Sequence, residues 1–264
     1  MILLLGLGLL IGAAMGLTGA GGGILAVPAL MLALDRPLAE IAPLALLTVA
    51  VSASAGVWDA LREGLVRYRA ALLMAIAGVP FTALGVRLGA LLDGPLRDGL
   101  FIGLMLYVGV RQWRRRSAEQ LPLACEFRRP LDASAGRIAW SWTNGALVAA
   151  IGACTGLTAG LLGVGGGFII VPLLQRFSNI STQGIIATAL MVIALVSGGG
   201  VWVALAHGAT LSPAIALPFV GAALAGMLAG RRVANRLPAS VLQGGFAVLI
   251  FAVALAMIYA NLRV

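Results

Sequence analysis

The sequence predicts an all-α integral membrane protein made of two inverted repeats of about five helical segments each. Short or broken helices are expected at its glycine-rich motifs. The 264-residue chain is 61% hydrophobic and 10% charged, whereas soluble domains average about 25% charged residues. Apolar stretches fill nearly the whole chain, and a transmembrane helix needs about 20 such residues. A large block of the first half also returns in the second.

The repeat is centred on a glycine cluster. The segment GLTGAGGGILAVP begins at Gly16, and GLLGVGGGFIIVP begins at Gly160, which is an offset of 144 residues (160 − 16). At the same offset Ala45-Leu46 matches Ala189-Leu190, and Gly56-Val57-Trp58 matches Gly200-Val201-Trp202. Duplicated helical modules with breaks at corresponding positions are typical of secondary transporters.

The predicted segments follow in order from the apolar stretches and their charged or proline boundaries. They lie at about 1–17, 22–34, 39–61, 68–92 and 95–112, and then at 139–159, 164–176, 184–206, 211–230 and 240–261. The second segment of each half is short for a full span, so it either crosses a thin place or forms a re-entrant hairpin. Both alternatives leave an odd number of membrane crossings per half, so the second half must have the opposite orientation in the membrane.

These segments divide the chain into a first transmembrane repeat (1–112), a basic cytoplasmic linker (113–138) and a second, inverted repeat (139–264). All 18 basic residues are arginine. If the loops at 62–69, 111–137, 176 and 231–236 face the cytoplasm, the other side keeps four arginines: Arg36, Arg87, Arg97 and Arg263. Because basic residues accumulate on the cytoplasmic side, both termini are predicted to be extracytoplasmic.

The composition excludes several classes of function. Without lysine the chain can form neither a Walker A site nor a lysine Schiff base. The net charge of +9 resides mostly in short loops between spans, which argues against a nucleic-acid partner. One histidine, His207, and two distant cysteines provide neither a metal cluster nor a catalytic triad. We therefore expect no enzyme, cofactor or metal site. A small anion and membrane lipid are the predicted partners, and a homo-oligomer is left open.

The glycine clusters suggest an anion site. Successive glycines weaken a helix by about 1 kcal/mol each relative to alanine, so each cluster predicts a helix end, a tight turn and a new helix start. The first turn of a helix carries unpaired N–H groups that attract anions. Inverted symmetry would bring the two starts together near the membrane midplane. Close helix packing through small residues is the alternative reading of these clusters.

The predicted substrate-binding residues combine both clusters with nearby hydroxyl and indole groups. They are Thr18, Gly19, Gly21, Gly22, Gly23, Thr48, Ser52, Trp58, Thr158, Gly163, Gly165, Gly166, Gly167, Thr188, Ser197 and Trp202. The hydroxyls have an alternative role as donors to their own helix backbone. The tryptophans have an alternative role at the membrane interface. Leucine at Gly22 or Gly166 is expected to abolish transport and to leave membrane insertion intact.

At Gly16–Pro28 and Gly160–Pro172, together with Ala45-Leu46 and Thr188-Ala189-Leu190, the chain resembles the sulfite exporter TauE/SafE family. The likeness covers both halves. It implies a transporter of sulfite, sulfoacetate or related organosulfonates in the inner (cytoplasmic) membrane, coupled to an ion or proton gradient. It also implies that the glycine clusters form the centre of the transport path.

The sequence thus favours a secondary transporter that moves a small oxyanion by alternating access, with one bundle rocking against the other. An anion channel and a carrier of a different small anion are the alternatives left open. No acidic residue lies in the middle of a predicted span, so no residue can be named as the carrier of a coupled proton. Glu40, Asp59 and His207 lie at the rims.

Overall fold

The computed structural model describes residues 2–19, 22–34, 36–92, 94–117, 142–177, 182–234 and 239–261. Within these ranges the regular secondary structure consists of ten α-helices and one short 3-10 helix. The predicted all-α fold with broken helices at the glycine motifs is therefore confirmed. The linker predicted at 113–138 lies outside the described residues beyond Ser117.

The helices correspond closely to the predicted segments. The first half contains α1 (Ile2–Thr18), a 3-10 helix (Gly22–Leu25), α2 (Ala26–Leu34), α3 (Leu38–Arg62), α4 (Tyr68–Leu91) and α5 (Gly94–Ser117). The second half contains α6 (Trp142–Leu162), α7 (Gly167–Phe177), α8 (Thr182–Ala206), α9 (Pro213–Ala234) and α10 (Ala239–Asn261). Long helices are expected because hydrocarbon offers no partner for a free backbone amide. Five of them (α3, α4, α6, α8 and α9) are long and apolar enough to cross a membrane.

Each glycine motif reverses the direction of the chain. A Cβ atom at Gly22 would overlap the backbone of Met15 in α1, and one at Gly166 would overlap Thr155 in α6. The short helices α2 and α7 therefore return alongside α1 and α6. At 1.5 Å per residue, their 9 and 11 residues extend roughly 14 and 17 Å, well short of the ~30 Å hydrocarbon core. This geometry favours the re-entrant hairpin over a second full crossing.

The first helix of each half packs against the fourth helix of the other half. On α1, Gly12 lies against Ala223 of α9, and Gly16 lies against Met227. On α6, Gly156 lies against Gly78 of α4, and Gly160 lies against Thr82. Residue numbers rise together along both pairs, so the paired helices run parallel. The four-residue spacing of small residues allows the two backbones to touch, and it ties the two halves of the chain together.

The third helices, α3 and α8, form the centre of the fold and run antiparallel. Leu46 of α3 lies against Gly200 of α8, whereas Gly56 of α3, further along, lies against Leu190 of α8. These are the residues that the sequence repeats at its 144-residue offset. The repeat therefore encodes one leucine–glycine contact that occurs twice, once on each side of the crossing between α3 and α8. The fifth helices, α5 and α10, pack against each other.

Candidate functional site

The second glycine motif forms a tight turn between α6 and α7. α6 ends at Leu162 and α7 begins at Gly167. In between, Gly163, Gly165 and Gly166 have φ angles of 72°, 72° and 67°. This left-handed backbone is costly for residues with a side chain and is open to glycine. The glycines are therefore required by the shape of the turn, and the whole turn is buried.

This turn leaves a run of buried amides without acceptors. The Gly163 amide donates to the Ala159 carbonyl at 2.9 Å, and the Ile169 amide donates to the Gly166 carbonyl at 3.0 Å. Between them, no backbone carbonyl in the described part of the chain accepts a hydrogen bond from the amides of residues 164–168. Such successive N–H groups at a helix start form a concave site with partial positive charge. Buried amides are rarely left unpaired, so this run is suited to an anionic acceptor.

A serine hydroxyl adjoins the turn. A Cβ atom at Gly165 would lie 3.0 Å from Ser197 Oγ of α8. Ser197 is fully buried, and its hydroxyl has no hydrogen-bond partner within the described residues. Ser52 of α3 shares both properties. An unpaired hydroxyl buried in a protein costs about 1–3 kcal/mol, so these two serines stand out as free donors.

The two glycine motifs meet near the middle of the central helices. A Cβ atom at Gly23 would lie 3.1 Å from the carbonyl oxygen of Val164, so the first helix start touches the second turn directly. Val49 of α3 lies between them, with its methyl groups facing both Gly23 and Gly165. Ile193 Cγ2 would lie 3.4 Å from a Cβ atom at Gly165, and both Val49 and Ile193 sit near the midpoints of 25-residue helices. The structure thus brings Gly23, Gly165 and Ser197 together.

Val49 was missed at the sequence level because an apolar side chain carries no chemical signature. The signal that points to it is the repeat, since Val49 and Ile193 match at the same offset of 144 (193 − 49).

The predicted threonines use their hydroxyls within their own helices. Thr18 donates to the Ala14 carbonyl at 2.7 Å, Thr48 to Leu44 at 2.8 Å and Thr188 to Gly184 at 2.7 Å. Thr158 lies 3.0 Å from the carbonyls of both Cys154 and Thr155. The alternative role of back-bonding to the helix is therefore the one observed. Thr188 Oγ1 also accepts a hydrogen bond from the amide of Arg67 at 3.1 Å.

The remaining predicted site residues lie apart from this centre. Trp58 and Trp202 expose 61% and 77% of their surface at the ends of α3 and α8, and Trp58 carries the guanidinium of Arg62 over its ring at 5.1 Å. Gly19, with a φ of 74°, packs against Ile186 near the start of α8. Gly22 packs against α1, and Gly21 lies outside the described residues.

The centre is electrically neutral. Among the described residues, Arg97 is the one charged residue that is buried, and it belongs to the first turn of α5, where it donates to the Gly89 carbonyl at 3.0 Å. No group of three His, Cys, Asp or Glu side chains clusters within the described residues. The available binding groups are therefore backbone amides and serine hydroxyls, which can donate to an anion but hold a cation poorly.

Comparison with known proteins finds a matching family and several similar proteins. Residues 4–257 match the family described as "Sulfite exporter TauE/SafE". A probable membrane transporter protein of Xylella fastidiosa (strain Temecula1) is 31% identical over 265 residues, covering 98% of this chain and 95% of the relative. A probable membrane transporter protein MamO of Paramagnetospirillum magneticum is 34% identical over 117 residues, covering 42% of this chain and 18% of the relative. No solved structure matches the chain. The family match spans nearly the whole sequence, and the chain is thus a multi-pass membrane transporter that belongs to the sulfite exporter TauE/SafE family.

Proposed function

We propose that the protein is a secondary transporter that moves a small oxyanion, such as sulfite, sulfoacetate or a related organosulfonate, across the cytoplasmic membrane. The observation that carries this proposal is a run of buried amides at residues 164–168 beside the hydroxyl of Ser197, all without a hydrogen-bond partner among the described residues. Small tetrahedral or pyramidal oxyanions present several acceptor atoms, which a cluster of converging N–H and O–H donors can satisfy together.

A neutral site suits a carrier that must also release its cargo. A buried arginine would hold an anion strongly, since hydrogen bonds to charged groups contribute about 1.5–3 kcal/mol each. Helix starts and hydroxyls carry partial charges instead of a full positive charge, so they hold the anion less strongly than an arginine and allow its release. The family match supports sulfite-type anions as the first class to test.

Alternating access is supported by the symmetry of the contacts around the site. α3 and α8 cross antiparallel, and each contributes a leucine that covers a glycine of the other on one side of the crossing. This arrangement is what an inverted repeat with its axis in the membrane plane would produce. The two glycine motifs touch in this structure. An anion would therefore enter the site when α3 and α8 separate on one side of it. A channel would instead require a continuous wet path through the same place.

The orientation and the enzyme question belong to the same proposal. The arginine distribution supports cytoplasmic placement of the α3–α4, α5–α6, α7–α8 and α9–α10 connections, with both termini outside. The neutral centre supports transport rather than catalysis, because proton transfer needs a titratable group at the reacting atom. Lipid is the expected surrounding of the exposed apolar faces.

The experiment is flux into proteoliposomes that contain the purified protein. Sulfite, sulfate, thiosulfate, methanesulfonate, sulfoacetate and acetate are compared under identical anion gradients. We expect saturable uptake of at least one sulfur oxyanion, with faster exchange when the same anion is present inside. Uptake that rises linearly with concentration would indicate the channel alternative. Uptake of acetate alone would indicate a different anion class.

A further inference from the structure

Matched apolar contacts lie on both sides of the glycine–serine site, along α3 and α8. Toward the end of α3 with the basic loops, a Cβ atom at Gly56 would lie 3.1 Å from Leu190 Cδ1 and 2.7 Å from Met227 Cε. Toward the opposite face, one at Gly200 would lie 3.1 Å from Leu46 Cδ1 and 3.0 Å from Thr82 Cγ2. Gly56 and Gly200 each lie seven residues beyond the mid-helix positions Val49 and Ile193. Both contacts therefore lie roughly 10 Å from the site along the central helices.

The contact on the basic side is reinforced by polar groups. Arg231 of α9 donates a hydrogen bond from Nη1 to the Gly56 carbonyl, and the same atom lies 3.7 Å from Asp59 Oδ2 of α3. The two side chains expose 27% and 47% of their surface. One guanidinium thus connects α9 to α3 through a carbonyl and a carboxylate.

Among the described residues, the repeat-related positions on the opposite side form no such link. At the repeat offset of 144, the counterpart of Arg231 is Arg87 on α4, and the counterpart of Asp59 is Val203 on α8. Arg87 is exposed and makes no hydrogen bond or ion pair with any described residue. Leucine–glycine contacts therefore lie on both sides of the site, whereas the Arg231–Asp59 pair has no counterpart at the repeat-related positions Arg87 and Val203.

We propose that Arg231 and Asp59 are the gating residues of the basic face, so that the two gates of the transport path are held closed with unequal strength. This inference rests on the proposed function, because it takes the path to run between α3 and α8. Opening the basic side requires α9 and α3 to separate, which breaks the bonds of Arg231. Opening the other side parts the apolar contacts of Gly200 with Leu46 and Thr82.

The test measures access to each gate with a thiol reagent. Cys125 and Cys154 are first replaced by serine, and then Leu190→Cys or Leu46→Cys is introduced as a reporter, since both leucines are buried. A membrane-impermeant maleimide is applied to each face of proteoliposomes of known orientation. From the basic face, Asp59→Asn is expected to raise the labelling rate at Leu190→Cys about threefold, as for loss of a partly exposed ion pair. Arg231→Gln is expected to raise this labelling rate about tenfold, since the hydrogen bond to the Gly56 carbonyl is lost as well.

Two controls make the result specific. The Leu46→Cys reporter, labelled from the opposite face, should not become more reactive in either variant. Arg36→Gln removes a different ion pair, Arg36–Glu40 at 2.9 Å, on the surface at the start of α3, and should leave both reporters unchanged. Arg231→Lys should give a rate between the wild type and Arg231→Gln, because it keeps the charge.

Unchanged labelling at Leu190→Cys in both variants would overturn the inference, and so would an equal rise at Leu46→Cys. The measurement needs no transported anion, so it separates the two proposals. A labelling response without any anion flux would retain the gate and reject the proposed cargo. Saturable flux without a labelling response would reject the gate alone.

Discussion

Replacing Ser52 and Ser197 by alanine tests whether the free buried hydroxyls bind the anion. Both hydroxyls are fully buried and have no partner within the described residues, so each replacement removes a donor without breaking a hydrogen bond of the folded protein. If the hydroxyls donate to a bound anion, each loss should cost about 1.5–3 kcal/mol of binding. At about 1.4 kcal/mol per tenfold change, this corresponds to an apparent affinity weakened roughly 10- to 100-fold.

The same structure predicts that the stability of these variants will not fall. Burial of an unpaired hydroxyl costs about 1–3 kcal/mol, so the thermal midpoint of the purified Ser197→Ala variant should be unchanged or higher. The assay measures initial uptake rates in proteoliposomes over a wide anion concentration range, beside a thermal scan in detergent. A raised KM with an unchanged or raised midpoint would identify the serines as ligand donors.

Matched controls come from hydroxyls that already have partners. Ser54, on the same helix as Ser52, donates to the Ala50 carbonyl at 2.7 Å and lies at the surface. Thr48 is as buried as Ser52 but donates to Leu44. Ser54→Ala and Thr48→Val should change KM less than threefold, since their hydroxyls are already engaged. Wild-type KM in both Ser52→Ala and Ser197→Ala, or a larger effect in Thr48→Val, would refute the reasoning.

Three further predictions follow from the packing. Gly12→Leu should prevent recovery of a monodisperse protein, because its Cβ would overlap the Ala223 carbonyl. The control Gly6→Leu, on the same helix, should purify normally, because a Cβ atom there meets no atom within 4 Å. Equal yields of the two variants would contradict the pairing of α1 with α9. The Gly23→Ala variant should fold but transport at least tenfold more slowly in uptake assays, because its Cβ would lie 3.1 Å from the Val164 carbonyl, where the two glycine motifs meet. The control Gly198→Ala should transport normally, because a Cβ atom there meets no atom within 4 Å. Trp58→Ala and Trp202→Ala should leave KM unchanged, because both indoles are exposed, and a KM rise above threefold would return them to the site.

The structure also changes the test that the sequence suggests for the glycine motifs. Leucine at Gly22 or Gly166 was expected to stop transport and leave insertion intact. A Cβ atom at Gly22 would overlap the Met15 backbone, and one at Gly166 would overlap Thr155. Both replacements would therefore disturb the hairpins themselves, and loss of transport would not report on anion binding. The serine variants avoid this difficulty because they remove atoms rather than add them.

The helices and their breaks were predictable because membrane sequences carry strong local signals. Apolar runs had to be helical in hydrocarbon, and consecutive glycines had to interrupt them. The sequence placed α3 at 39–61 and α8 at 184–206, within two residues of the observed ends. The membrane-transporter class and the family also followed from the repeated motif, and the family match confirms both.

The site itself was predictable in part. The turn at Gly163–Gly167 and the buried hydroxyl of Ser197 beside it are observed, whereas anion binding by these residues stays a prediction. The sequence could not separate Ser197 from Thr188, because both are hydroxyl residues on one helix. Their difference lies in the direction that each faces around α8 and in whether a carbonyl one turn earlier captures the hydroxyl.

The sequence alone determined that this chain lies in a membrane, that its module occurs twice, and where its helices stop, because each of these depends on local composition. Tertiary structure alone decided which helix meets which. It placed α1 beside α9 and α6 beside α4, across the two halves, since small residues permit close packing on many faces and do not name a partner. It also decided which hydroxyls stay free and which side of the centre gained an ion pair. Those outcomes depend on the rotation of α3, α8 and α9 about their axes, which is set by contacts between residues far apart in the chain.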